Sequence, residues 1–167
     1  KKNKNQLNWF LKKKYSPIEC WRYIYKKNFL IKKKLFFIDK INLGEDQEFI
    51  TKVLCSANNL LIYFKPFYCF RIGSGNLSAR IGYDPAISLL KVVNHMCKLI
   101  KKNNFSKLKN EFIKQKIYKP LSELKPQLMT LNKTQIYKLS EFIKKNNSNF
   151  KILDNFFQKD DIFFFIK

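Results

Sequence analysis

Two adjacent carboxylates, Glu45 and Asp46, follow Gly44 and stand just ahead of Phe49, Ile50, Val53, Leu54 and Ala57, whose spacing fits a helix that buries one face. The pattern predicts a helix over residues 45–58 with Asp46 at its entrance. A carboxylate there has two jobs open to it. It can cap the first N–H groups and meet the positive end of the helix dipole, or it can face a bound hydroxyl and take its proton as a general base. The other reactive side chains form no such arrangement. His95 lies inside a helical pattern with no Cys, Asp or Glu at ligand spacing, so it reads as structural. Cys20, Cys55, Cys69 and Cys97 include no CxxC pair and no dense disulfide pattern, which suits reduced, mostly buried thiols. Gly73-Ser74-Gly75-Asn76 matches neither GxGxxG nor the Walker loop, and no Asp-x-Asp occurs anywhere.

The elements that must position Asp46 follow from the pattern on either side. Residues 5–15 suit a short amphipathic helix ended by Ser16-Pro17. The aromatic and β-branched run from Trp21 to Tyr25 reads as a strand or extended segment, and residues 26–34 as a short helix. After the 45–58 helix, residues 60–64 and 67–72 read as two strands parted by Lys65-Pro66. From Asp84 onward the period is helical. Asp84 is expected as N-cap with Pro85 in the first helical position, and Ile87, Leu90, Val93, Cys97 and Ile100 form one stripe. Further helices are expected around Phe105, Leu108, Phe112 and Ile113, then over Leu121, Leu124 and Leu128 around Pro120 and Pro126, then around Ile136, Leu139, Phe142 and Ile143. The expected organisation is residues 1–83 as one unit and 84–167 as a helical C-terminal extension.

Four pieces in order carry a resemblance: Trp21-Arg22-Tyr23-Ile24-Tyr25-Lys26-Lys27-Asn28-Phe29-Leu30, Leu35-Phe36-Phe37, Gly44-Glu45-Asp46-Gln47-Glu48-Phe49, and Pro66-Phe67-Tyr68-Cys69-Phe70-Arg71 leading to Ser74 and Ser78. Over residues 16–78 the chain resembles the acceptor half of family 2 glycosyltransferases of the GT-A fold, of the kind that builds bacterial capsule and lipooligosaccharide. The resemblance implies an α/β class, α+β in this chain: part of a GT-A domain with a few strands, followed by the helical extension. It implies Asp46 as catalytic base, Glu45 and Trp21 near the acceptor, and Arg71, Ser74 and Ser78 near the donor diphosphate. Each keeps a plainer alternative: a helix cap for Glu45, a core ring for Trp21 and a solvated strand arginine for Arg71.

The β/α nucleotide-binding half, the uracil-binding Asp and the Asp-x-Asp metal site of that family have no counterpart here. The first residue is Lys1 rather than Met, as expected of a fragment or split gene product. A divalent metal, Mg or Mn, is therefore expected in the intact enzyme and not in this chain. The expected partners are a nucleotide-sugar donor, a glycan or lipid-linked acceptor, the inner membrane surface and the missing N-terminal half.

The 167 residues carry 34 Lys plus Arg against 12 Asp plus Glu, a formal charge of +22, which suits an anionic partner. Only Arg22, Arg71 and Arg80 are arginines. Nucleic-acid readers lean on the arginine fork, so nucleic acid is not an expected partner of the enzyme and an anionic membrane face fits the lysines as well. No apolar run is long enough to cross a bilayer and no signal-peptide core is present, so the expectation is a cytoplasmic protein peripheral to the inner membrane. The lysine faces and apolar stripes from Asp84 onward are the expected membrane contact. The rival reading is a small basic helical module that binds nucleic acid or membrane without catalysis.

Overall fold

The structure, a computed structural model, describes residues 2–13, 19–62, 69 and 81–151. Their helices run in the order α1 (Lys2–Leu11), α2 (Lys27–Lys32), α3 (Glu45–Ser56), α4 (Tyr83–Lys102), α5 (Lys107–Leu128), α6 (Lys133–Lys145) and α7 (Asn147–Phe150), with a 3₁₀ turn at Cys20–Arg22. Helix takes up 70% of the described residues and no strand occurs among them, which overturns the α/β class and the partial GT-A domain expected from the sequence. The segment read as a strand at Trp21–Tyr25 is the 3₁₀ turn followed by extended backbone at Tyr23. Residues 60–62 pair with nothing in a ladder, and the rest of that expected strand pair, Cys69 apart, lies outside the described residues.

The reason is local. An extended segment needs a neighbouring edge for its N–H and C=O groups, and none is offered here. The aromatic side chains that suggested strands pack on helices instead. Tyr23 meets Phe10 of α1 edge-on at 6.2 Å, and Tyr25 meets Phe49 of α3 at 5.6 Å.

α4 is the central element. Leu89, Leu90, Val92, Val93, Met96 and Cys97 are wholly buried and point to more than one side, as expected of a helix wrapped by others. Its expected stripe is present, with Ile87 and Ile100 only partly covered. One apolar cluster joins Leu7 and Leu11 of α1, Ile50 and Leu54 of α3, Val93 of α4, Phe112 of α5 and Phe150 of α7. A smaller one joins Leu89 and Leu90 to Leu124 of α5 and Leu139 of α6.

Two helix boundaries differ from the expected ones. α4 begins at Tyr83 with Gly82 as N-cap, leaving Asp84 exposed in the first turn. Gly82 has φ 131, which glycine adopts without strain, and its N–H donates to Gln127 Oε1 at 2.9 Å, so α5 fixes where α4 starts. The helix expected around Phe105 to Ile113 and the one expected around Pro120 and Pro126 are one helix, α5. An interior proline removes a backbone bond and costs about 3 kcal/mol. Here Pro120, Leu121 and Leu124 are buried, so packing overrides the local breaker. α6 opens with a reciprocal cap, in which Asn132 Oδ1 accepts from the Gln135 N–H and Gln135 Oε1 from the Asn132 N–H, both at 3.0 Å. α7 is tied back to α4 through Asn94, which donates to Asn146 at 3.1 Å and accepts from Asn149 at 2.9 Å. No helix among the described residues is long and apolar enough to cross a membrane.

Candidate functional site

Gly44 explains how the carboxylates are presented. It is the N-cap of α3, with φ +82, and a Cβ there would sit 3.2 Å from Val92 Cγ2 and 3.5 Å from Leu89 Cδ2. Only glycine combines that left-handed turn with so close an approach of α3 to α4. Glu45 and Asp46 then occupy the first turn, both half-exposed, and the cap position itself makes no side-chain hydrogen bond.

Asp46 turns toward the Cys20–Arg22 turn, which packs against α3. Burial first, then the Asp46 carboxylate and the charge of Glu45, push the Cys20 thiol up to about 12. The Tyr25 hydroxyl donates to the Cys20 carbonyl at 2.6 Å and closes the loop from the other side. Its ionisation is pushed upward by burial, with Cys20 and Asp46 adding to the effect. Trp21 is half-exposed beside this cluster, with the Arg22 guanidinium 4.9 Å from its ring centre. Arg22 also pairs with Glu19 at 3.0 Å. The arrangement presents a carboxylate at the positive end of a helix, with the Cys20 thiol nearby and the half-exposed Trp21 next to it in the chain. Such a group can accept a proton from a hydroxyl laid against it, while a ring like Trp21 can pack on the C–H face of a sugar.

Asp46 and Glu45 are thus close to Cys20, the residue before Trp21. Arg71, Ser74 and Ser78 lie outside the described residues. Among the described residues no group of three or more His, Cys, Asp or Glu side chains is placed to share a metal, so no metal step is assigned to them. His95 is half-buried on α4, its protonation disfavoured by burial and by Lys98 and Lys52.

Cys20 and Tyr25 were not singled out by sequence. Both flank Trp21, but nothing in their spacing says that the turn folds onto α3. A second polar group, one turn into α3, was also missed. Glu48 is 2% exposed and pairs with Lys52 Nζ at 2.9 Å, a contact that the i, i+4 spacing allows. Burial pushes its carboxyl upward, and the Lys52 hydrogen bond and charge oppose this. Lys52 also donates to the Phe36 carbonyl, which anchors the preceding loop.

A scan against protein-family models, a search of curated proteins and a search of solved structures find no match to the chain.

Proposed function

We propose that the chain supplies the acceptor side of an inverting glycosyl transfer from a nucleotide-sugar to a surface glycan. Asp46 takes the proton as the acceptor oxygen bonds to the sugar carbon, and the bond to the diphosphate breaks with its electron pair leaving on the diphosphate. Glu45 and Trp21 hold the acceptor; Arg71, Ser74 and Ser78 meet the diphosphate. The donor fold and its divalent metal belong to a partner half, and the site works at the inner face of the membrane. The reading rests on the ordered motif resemblance. What supports it in the structure is that the Cys20–Arg22 turn, far from Asp46 in sequence, packs on α3 with Cys20 within the electrostatic reach of Asp46 and Glu45.

The helical architecture of the described residues and the +22 charge favour the second reading, a basic module that binds without catalysis. Fluorescence separates the two. The chain has two tryptophans, so in a Trp9→Phe variant Trp21 is the sole indole. A saturable response to oligosaccharide acceptors, lost with Asp46→Lys, supports the acceptor site. No response to any glycan, together with a saturable response to RNA, supports the second reading and overturns the first.

A further inference from the structure

The stretch from Ile24 to Lys40 stands out among the described residues. Lys26, Lys27, Lys32, Lys33, Lys34 and Lys40 are all exposed, and Asp39 is the only acid among them. Just ahead of these lysines or among them are four large apolar side chains left open to solvent: Ile24 at 87%, Ile31 at 52%, Phe36 at 59% and Phe37 at 47%. Scattered exposed apolar residues need no explanation, but four within one short basic stretch do.

The backbone holds them out firmly. α2 ends in a Schellman turn: the Leu35 N–H donates to the Leu30 carbonyl at 2.9 Å and the Lys34 N–H to the Ile31 carbonyl at 3.0 Å, with Lys34 in the left-handed region at φ 52 where glycine is usual. That turn buries Leu35 and sends Phe36 outward. Phe37 stacks on Phe49 of α3 at 4.2 Å, and Lys52 of α3 donates to the Phe36 carbonyl. At the far end Lys40 takes a second left-handed turn at φ 59. Two unfavourable backbone positions therefore bracket the exposed phenylalanines, and α3 fixes the loop between them.

We propose that Ile24–Lys40 is a membrane-docking surface for a bilayer containing anionic lipid, with Ile24, Ile31 and Phe36 entering the headgroup region and the lysines meeting lipid phosphates. Charge complementarity selects the occupant. Exposed lysines alternating in sequence with open aliphatic and aromatic side chains match an interface that offers negative headgroups above apolar chains, and the stretch contains no arginine. A nucleic acid would leave Ile24 and Ile31 without a partner. The proposal stands independently of the role of Asp46, and its test reads binding and not turnover.

The test is co-sedimentation of the full chain with vesicles of phosphatidylcholine alone or mixed with phosphatidylglycerol. Binding is expected only to the anionic vesicles and should weaken as salt is raised. Lys32→Gln and Lys33→Gln should each lower the partition coefficient about fivefold, and Phe36→Ser, which leaves the backbone bond to Lys52 in place, should lower it roughly tenfold. Unchanged unfolding midpoints show that the variants are folded; should Phe36→Ser fail to fold, Ile24→Ser, at the most open position, replaces it. Equal binding to both vesicles, no binding to either, binding untouched by all these substitutions, or tighter binding to RNA than to the anionic vesicles would each overturn the proposal.

Discussion

Gly44→Ala probes the contact that places the carboxylates. In the left-handed region a residue with a Cβ costs roughly 1–2 kcal/mol, and the new methyl would also press on Val92 Cγ2 at 3.2 Å. Overpacking of this kind costs about 1–3 kcal/mol, against which alanine recovers about 0.4–1 kcal/mol by restricting the unfolded chain. The net expectation is a loss of about 1–4 kcal/mol, read by urea unfolding as a lower midpoint at unchanged m. Two further variants separate the causes. Asn accepts the left-handed turn more readily than Ala, so Gly44→Asn retains mainly the steric part. Val92→Ala removes the atom that the methyl would meet, so Gly44→Ala should be milder in that background, with a coupling of about 1 kcal/mol. A Gly44→Ala chain within about 0.5 kcal/mol of the parent, or no coupling to Val92, would refute the close approach of α3 to α4 and with it the placement of Asp46.

Glu48 gives a pH dependence. Its carboxyl titrates above its usual value in the folded chain, so the stability linked to it is fully present below the unfolded value near 4.5 and is lost as pH rises through the folded value. Glu48→Gln should therefore be the more stable at neutral pH, with the gap closing toward acid; a gap independent of pH in urea unfolding would contradict this. Lys116 is 6% exposed, lies 5.3 Å from the Phe112 ring centre and is pushed down by burial to about 8. Its depressed value favours the fold above the unfolded value of 10.5, and that contribution is lost as pH falls toward 8. Lys116→Met should stabilise the chain at neutral pH by about 1–3 kcal/mol and remove the rise in parent stability at alkaline pH; an equal or lower midpoint at neutral pH would count against it. At Cys20, Asp46→Asn removes one charge that disfavours the thiolate, so alkylation of Cys20 should quicken, followed by mass spectrometry of the tryptic peptides. An unchanged rate would separate the two side chains.

The helices were legible where the apolar period was long and uninterrupted. The stripe of α4 and the faces of α3 and α6 are examples, since burial needs little beyond the period. Local signals failed where tertiary contacts override them. Pro120 and Pro126 suggested breaks, yet burial of Pro120, Leu121 and Leu124 carries α5 through both. Asp84-Pro85 looked like a helix start, but Gly82 and its bond to Gln127 set α4 two residues earlier. Trp21–Tyr25 had strand composition, and without a partner edge its aromatics packed onto α1 and α3. At the candidate site the first turn of α3 was legible because Gly44, Glu45 and Asp46 are adjacent. The Cys20 thiol was not, because its approach to Asp46 depends on how a distant turn folds back.

The most direct test of the catalytic role is the transfer rate of Asp46→Asn in an assembly that includes a donor-binding half. Asn keeps the size of the side chain and its capping ability but cannot take the acceptor proton. If Asp46 is the base, kcat falls by roughly 10²–10⁴ while donor affinity and the unfolding midpoint stay close to the parent values. A folded Asp46→Asn assembly that transfers sugar near the parent rate would contradict the account.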